Sequence, residues 1–241
     1  MVSAHRFIGT AGWNVPKPYA GDFPSDGSHL ARYARRLNAV EINSSFYRPH
    51  RRRTYERWAA GVPGDFRFAV KLPKAITHER RLTACDDLVA RFIGEAGGLG
   101  EKLAVLLVQL PPSLAYDAAN ARGFFARLRR SCDARVVCEP RHASWFTEKV
   151  EDTLTGLEVA RVATDPEPVP GAGSSGGWGG LAYYRLHGSP RIYYSDYDAG
   201  ALAALAHRLR AHPPRVPVWC IFDNTAAAAA LGNALALSDI V

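Results

Sequence analysis

The sequence predicts an α/β protein built as a single (β/α)8 barrel of the TIM type. Three observations lead to this fold class. Short apolar runs rich in β-branched and aromatic residues recur eight times, segments with helical spacing lie between most of them, and 241 residues is the usual length of one such barrel. Consecutive runs begin about 23–37 residues apart, which is the length of a βα unit. We therefore expect one barrel domain over residues 1–241.

The eight predicted strands are apolar runs bounded by polar or turn residues. They cover residues 7–9, 39–42, 66–71, 103–109, 135–138, 158–162, 182–186 and 218–222. An open doubly wound sheet is the alternative, but no GxGxxG motif follows the first run.

The intervening helices are predicted from capping residues and helical spacing of apolar side chains. The expected first residues or caps are Ser28, Thr54, Asp86 or Asp87, Thr147 and Asp198, and Thr225 precedes an alanine-rich helix that runs to about residue 237. Phe124, Phe125 and Leu128 mark a further helix before the fifth strand. Residues 166–180 are rich in Pro, Gly and Ser and predict a mobile loop.

Composition and charge exclude several classes of protein. The chain is 47% hydrophobic and 22% charged, which is typical of globular proteins, and no apolar run is long enough to span a membrane. The net charge of +7 favours anionic partners. No secretory signal is visible and the four cysteines form no CxxC pair, so we expect a cytoplasmic protein with no cofactor.

Polar side chains follow every predicted strand. Glu41 and Asn43 are two residues apart, as are Glu139 with Arg141 and Arg185 with His187. Residues at this spacing point to the same side of a strand, so three strands direct polar pairs towards one site. In barrels of this type the site lies at the carboxyl ends of the strands.

Seven sequence blocks resemble the YecE-like family, a domain of unknown function. They are residues 9–13, 40–47, 68–71 with 76–78, 109–112, 139–145, 185–188 and 222–224, in the family's order. The resemblance covers about residues 7–237 and implies a TIM-type barrel without implying an activity. Ala11 and Ser45 stand where the family often has Ser and Thr, which makes them poor candidates for an essential hydroxyl.

Four residues are the predicted catalytic groups: Glu41, Glu139, His187 and Lys71. The two glutamates can divide general acid and base work, and His187 can carry a proton. Alternatively each glutamate pairs with a neighbouring arginine, or both bind a divalent cation with His187 and Asp223, an arrangement that the sequence does not favour. Lys71 is a candidate cation for substrate anions, a Schiff-base lysine, or the partner of Glu41 in a salt bridge.

The predicted substrate-binding residues lie in the same strand ends and loops. They are Trp13, Asn43, Tyr47, His78, Gln109, Arg141, His142, Trp145, Arg185, Asp223 and Asn224. The aromatic members, with Phe46, Tyr193, Tyr194 and Tyr197, could stack on a sugar or base, or pack the loops. Phosphate often binds after the seventh and eighth strands of such barrels, here at residues 187–189 and 224–225, although Gly188 could instead serve only a tight turn.

Two functions follow from this site. The first is an enzyme acting on a small anionic substrate, phosphorylated or nucleotide-like. The second is a nucleic-acid-binding barrel with little or no catalysis, which the net charge and Arg51, Arg52 and Arg53 favour. A metal-dependent, nuclease-like protein lies between the two.

Overall fold

The computed structural model describes residues 6–241 as an α/β protein. Its strands are β1 (Arg6–Thr10), β2 (Ala39–Ile42), β3 (Arg67–Lys71), β4 (Leu103–Gln109), β5 (Arg135–Glu139), β6 (Val159–Arg161), β7 (Ala163–Asp165), β8 (Gly176–Gly177), β9 (Ala182–Leu186) and β10 (Val218–Phe222). Its α-helices are α1 (His29–Tyr33), α2 (Ser44–Tyr47), α3 (Arg52–Ala60), α4 (Asp86–Ala96), α5 (Ala118–Ser131), α6 (Glu148–Gly156), α7 (Ala199–Arg210) and α8 (Ala229–Ser238). Shorter helical turns cover Lys17–Asp22, Ala75–Glu79, Gly97–Lys102 and Ala143–Trp145.

The strands form two sheets that are almost entirely parallel. The first has the order β1-β10-β9-β7, and the second has the order β2-β3-β4-β5-β6-β8. Only β8 is antiparallel, to β6. Because parallel neighbours run the same way, the carboxyl ends of β1 to β7, β9 and β10 lie at the same edge of their sheet.

The two sheets are linked at both ends. Ala11, just after β1, forms a parallel bridge with Glu41 of β2, and the Gly12 amide donates to the Glu41 carbonyl oxygen at 2.8 Å. At the other end Val162 alone separates β6, which pairs with β5, from β7, which pairs with β9.

Both faces of the sheets are buried, which explains the nearly continuous apolar strands. One face packs against the helices. The opposite face forms a second apolar cluster, to which the strands and the residues directly beside them contribute alternate positions: Ala39, Ala69, Val105, Leu107, Val137, Ala160, Val162, Leu181, Tyr183, Trp219 and Ile221. Continuing the same alternation to the carboxyl ends brings Glu41, Lys71 and Glu139 onto this face.

The α/β prediction is confirmed, and most elements lie where the sequence places them. The observed boundaries of some elements differ from the predicted ones. The sixth predicted strand, residues 158–162, is split into β6 and β7 because its two halves pair with different neighbours. Helix α3 begins at Arg52 rather than after Thr54, and Arg52 forms an i,i+4 ion pair with Glu56. The alanine-rich helix begins at Ala229, four residues after Thr225.

The segment predicted as a mobile loop, residues 166–180, contains no α-helix and includes the short strand β8. Arg161 binds it by donating to the carbonyl oxygens of Gly171 at 3.2 Å and Ser174 at 3.0 Å. The Gly177 amide donates to the Glu151 carboxylate. These contacts tie both halves of the segment to β6 and α6, while its mobility stays a prediction.

The close approach of β1 and β2 predicts a specific sensitivity at Gly9. A Cβ added at this position would overlap the carbonyl oxygen of Ala39 in the neighbouring strand. Gly9→Ala should therefore lower the free energy of unfolding by about 1–3 kcal/mol or more, measured by urea denaturation. Gly64→Ala is the matched control, since nothing lies within 4 Å of its added Cβ and it is exposed. If the two variants were equally stable, β1 and β2 would not be packed as described.

Candidate functional site at the carboxyl ends of the strands

A buried arginine lies at the centre of the site. Arg185 of β9 is fully buried, and its guanidinium binds three carboxylates. It donates to both oxygens of Glu41, with Nη2–Oε1 at 2.8 Å and Nε–Oε2 at 3.1 Å. It also donates from Nη1 to Glu139 Oε2 at 2.6 Å and from Nη2 to Asp223 Oδ2 at 2.9 Å. We call these four residues the guanidinium cluster.

Two more side chains complete the hydrogen bonding of the guanidinium cluster. The Tyr183 hydroxyl donates to Glu41 Oε2 at 2.8 Å, and Arg141 donates from Nε and Nη2 to Glu139 Oε1 at 3.0 and 2.8 Å. Burial alone would raise the pKa of Glu139, but Arg185 and Arg141 outweigh it and hold that pKa well below its usual value. Burial would also raise the pKa of Asp223. Arg185 and His187 outweigh burial there too, so the pKa of Asp223 is lowered. Both carboxylates are therefore ionised at neutral pH.

His187 follows β9 directly and contacts two of these carboxylates. Its Nδ1 lies 3.1 Å from Asp223 Oδ2, and its Nε2 lies 3.6 Å from Glu139 Oε1. Burial disfavours the charged imidazole, but the hydrogen bond to Asp223 and the nearby carboxylate of Glu139 outweigh that cost and raise its pKa. Nε2 is buried and has no hydrogen-bond partner within residues 6–241. The imidazole thus favours its protonated form more than an ordinary histidine does, and its buried Nε2 is left without a hydrogen bond in the described chain.

Lys71 ends β3 and is 8% exposed. Its ammonium lies 4.1 Å from the centroid of the Phe46 ring and makes no ion pair or hydrogen bond with any described residue. The salt bridge to Glu41 that the sequence allowed is therefore absent from the described residues, because Arg185 already occupies both oxygens of Glu41. Burial, with the charge of Arg185, lowers the pKa of Lys71 to about 8.

Several other predicted residues lie near Lys71 or the guanidinium cluster. Asn43 donates to Asp223 Oδ1 at 3.4 Å, and its own Oδ1 is buried without a partner in the described chain. Gln109 pairs in register with Glu139, but its amide donates to the Leu110 carbonyl oxygen. His78 packs edge-on against Phe46, with ring centroids 4.9 Å apart, and burial together with the charge of Lys71 lowers its pKa to about 4.

Trp13 borders a cavity that lies beside Asn43. It packs edge-on against Trp58 and, with Asn43, His29 and Ser44, lines a cavity of about 400 Å³. Tyr47 is 79% exposed and stands at the edge of a second cavity of about 300 Å³, between the loops after β2 and β3.

Three predicted substrate-binding residues make contacts that support the fold, and their role in binding stays a prediction. Trp145 is 1% exposed and donates from Nε1 to the Leu114 carbonyl oxygen at 2.9 Å, so it offers no face for stacking. His142 accepts from the Ser144 amide and caps a helical turn. Asn224 is fully buried and donates to the Ser195 carbonyl oxygen and to Asn233 Oδ1.

The phosphate site expected after the last two strands is not formed as predicted. The Gly188 amide donates to the Tyr197 hydroxyl at 2.9 Å, and Gly188 has a positive φ of 91°, which supports its interpretation as a turn residue. Since α8 begins only at Ala229, Asn224 and Thr225 do not form its N-terminus.

Tyr183 is the site residue that sequence reasoning missed. It lies two residues before Arg185, so the alternation that paired Arg185 with His187 also places Tyr183 on the same side. In the sequence Tyr183 is one of the apolar residues of its strand, and its ring does stack on Trp219, with centroids 5.8 Å apart. The sequence pattern therefore gives no sign that its hydroxyl contacts Glu41.

The geometry supports ion pairing for the two glutamates, the alternative that the sequence left open. Glu41 gives both oxygens to Arg185, whereas Glu139 gives Oε2 to Arg185 and Oε1 to Arg141. Within residues 6–241 no group of three or more His, Cys, Asp or Glu side chains could hold a metal ion.

Comparisons with known proteins decide the family. The family model described as "Protein of unknown function DUF72" matches residues 7–241. The chain belongs to the DUF72 family. The YecE-like resemblance is thereby confirmed: UPF0759 protein YecE of Escherichia coli (strain K12) is 32% identical over 171 residues, which are 69% of this chain and 61% of YecE. UPF0759 protein YunF of Bacillus subtilis (strain 168) is 26% identical over 162 residues, 64% of this chain and 57% of YunF. The matched region thus spans less than two thirds of either relative.

Two solved structures of DUF72 family proteins share the fold. One from Enterococcus faecalis V583 has a TM-score of 0.82 at 19% identity, covering 98% of this chain and 94% of that one. One from Thermotoga maritima MSB8 has a TM-score of 0.80 at 24% identity, covering 98% of both chains. In the described part of this DUF72 protein, no helix has the length and apolarity needed to cross a membrane.

Removing the central arginine should destabilise the DUF72 protein strongly. Arg185→Met leaves three buried carboxylates without their common partner, so we expect a loss of about 3–5 kcal/mol in the free energy of unfolding. Arg35→Met is the matched control, because its ion pair with Asp26 is exposed and should contribute less than about 1 kcal/mol. A loss at Arg185 no greater than at Arg35 would contradict the ion-pairing geometry.

His187 should make stability depend on pH. The pKa of His187 is higher in the folded protein than in the unfolded chain, so protonation of His187 stabilises the fold. This contribution to the free energy of unfolding is complete below about pH 6.5 and is lost as pH rises through the folded-state pKa. The difference in unfolding free energy between the wild type and His187→Gln should therefore shrink between pH 6 and pH 9. The exposed His207→Gln is the matched control. Equal pH dependence of the two differences would rule out this role for His187.

Proposed function

We propose that this DUF72 protein is an enzyme that acts on a small anionic substrate, phosphorylated or nucleotide-like, at the carboxyl ends of its strands. One observation carries the proposal: His187 and Lys71 are both more than nine-tenths buried there, and neither His187 Nε2, which lies 3.6 Å from Glu139 Oε1, nor Lys71 Nζ makes a hydrogen bond in the described chain. A buried polar group without a partner costs about 1–3 kcal/mol, which a ligand oxygen bound to both would recover.

The residues divide into those that contact the substrate and those that position them. His187 donates a proton to the substrate, and Asp223 orients its ring. Arg141 uses Nε and Nη2 for Glu139, leaving Nη1 for an anion. Lys71 adds positive charge. Glu41 and Glu139 are positioning residues that keep Arg185 in place.

We also propose that the two sheets form one closed (β/α)8 barrel. The bridge between Ala11 and Glu41 supports closure on one side, and the shared segment of β6 and β7 supports it on the other. A closed barrel would place every parallel strand end around a single site.

A nucleic-acid-binding function is the second candidate, favoured by exposed aromatic and cationic side chains. Tyr47 is exposed at the end of α2 and Tyr194 in the loop after β9, and the Arg191 guanidinium lies 3.9 Å from the Tyr194 ring centroid. Binding of this kind would weaken steeply with salt, because phosphate contacts release counterions.

Calorimetric titration with inorganic phosphate, sugar phosphates and mononucleotides tests the first function. At least one of these ligands should bind the wild type, and Arg141→Met should weaken its binding about tenfold or more, since an ionic hydrogen bond contributes about 1.5–3 kcal/mol. Arg215→Met is the matched control, because this exposed residue lies before β10, at the opposite ends of the strands. Equal losses in both variants would overturn the proposed site. Salt-sensitive binding of oligonucleotides alone would favour the second function.

A further inference from the structure

We propose that Lys71 is a nucleophile whose side-chain amine forms an imine with the aldehyde or ketone carbonyl of an anionic substrate. The inference rests on the proposed function and deepens it, because it names the substrate class. That class is a small carbonyl compound that carries a phosphate or another anionic group.

The placement of Lys71 differs from that of the other four lysines. Lys17, Lys74 and Lys149 are exposed, and Lys102 donates to the carbonyl oxygens of Ala59 and Val62. Lys71 alone is buried with no oxygen partner in residues 6–241, and Phe46 covers its ammonium at 4.1 Å. A buried amine that no carboxylate holds is available to react with a substrate carbon.

The surrounding charges favour the neutral, nucleophilic amine. Burial and the positive charge of Arg185 lower the pKa of Lys71 to about 8, and they outweigh the opposite effects of Glu139, Glu41 and Asp223. At pH 7 roughly one Lys71 in ten is then neutral, compared with fewer than one in a thousand ordinary lysines. The three carboxylates are bound to Arg185 rather than to Lys71, which is why they fail to hold the amine in its charged form.

His78 supplies a neutral base next to this amine. It contacts the same Phe46 ring as Lys71, and burial together with the charge of Lys71 lowers its pKa to about 4, so it is uncharged at neutral pH. Its Nδ1 lies 2.8 Å from the Thr77 hydroxyl, which fixes the ring. A neutral imidazole can accept the proton that the attacking nitrogen loses.

The covalent step balances without an oxidant or a metal. The nitrogen lone pair of Lys71 attacks the carbonyl carbon and forms a C–N bond while the carbonyl π electrons move to oxygen. One proton passes from nitrogen to that oxygen through His78, which gives a neutral carbinolamine. His187 then donates a proton to the hydroxyl, water leaves, and the nitrogen lone pair forms the C=N bond of a protonated imine.

Reductive trapping on the wild-type protein tests the inference. The protein is incubated with glyceraldehyde 3-phosphate and sodium borohydride, and labelled lysines are located by mass spectrometry of its peptides; the chain has only five lysines. At pH 7 and limiting aldehyde, Lys71 should be labelled about tenfold or more above exposed Lys74 and Lys149, because its neutral fraction is larger. Inorganic phosphate should compete with this labelling.

The pH profile and two variants complete the test. Labelling of Lys71 should rise through about pH 8 and then level off, whereas labelling of exposed lysines should rise until about pH 10.4. Lys71→Arg should remove the preferred label, and Lys74→Arg should leave it unchanged. If wild-type Lys71 is unlabelled while phosphate still binds, the imine is wrong and the proposed function stands. If inorganic phosphate, sugar phosphates and mononucleotides all fail to bind as well, both are wrong.

Discussion

Three carboxylates from separate strands meet on one buried guanidinium, that of Arg185. Glu41 and Glu139 belong to the second sheet, whereas Arg185 and Asp223 belong to the first sheet and its immediate continuation. The ion pairs therefore fix the two sheets to each other at their carboxyl ends. Since each buried charge is costly without its partners, this arrangement specifies one relative placement of four strands.

The properties of the neighbouring groups follow from that fixed charge distribution. The carboxylates Asp223 and Glu139 favour a protonated His187, while Arg185 and burial favour a neutral Lys71. The same cluster thus raises the pKa of His187 and, with burial, lowers that of Lys71 to about 8, which moves both groups towards neutral pH and makes them suited to the proposed roles. Because Arg185 engages the carboxylates, neither His187 Nε2 nor Lys71 Nζ makes a hydrogen bond to an oxygen of the described residues.

Much of this site could be predicted from the sequence, because strand alternation is local. Apolar runs located the strands, and a two-residue spacing placed Glu41, Glu139, Arg185 and His187 on one face, where the structure brings them together. The roles of these residues depend on partners from distant strands, which spacing does not encode. Trp145 illustrates the limit: it follows a strand as a ligand-stacking residue would, but the loop containing Leu114 folds over it. The split of residues 158–162 likewise depends on two different neighbouring strands.

A crystal structure grown in the presence of inorganic phosphate would show directly whether the proposed anion site exists. We expect a phosphate at the carboxyl ends of the strands, with oxygens about 2.7–2.9 Å from His187 Nε2 and Lys71 Nζ and within reach of Arg141. Arg185 should remain bound to Glu41, Glu139 and Asp223. Phosphate found only among surface arginines, with Lys71 paired to one of these carboxylates instead, would rule out the proposed site.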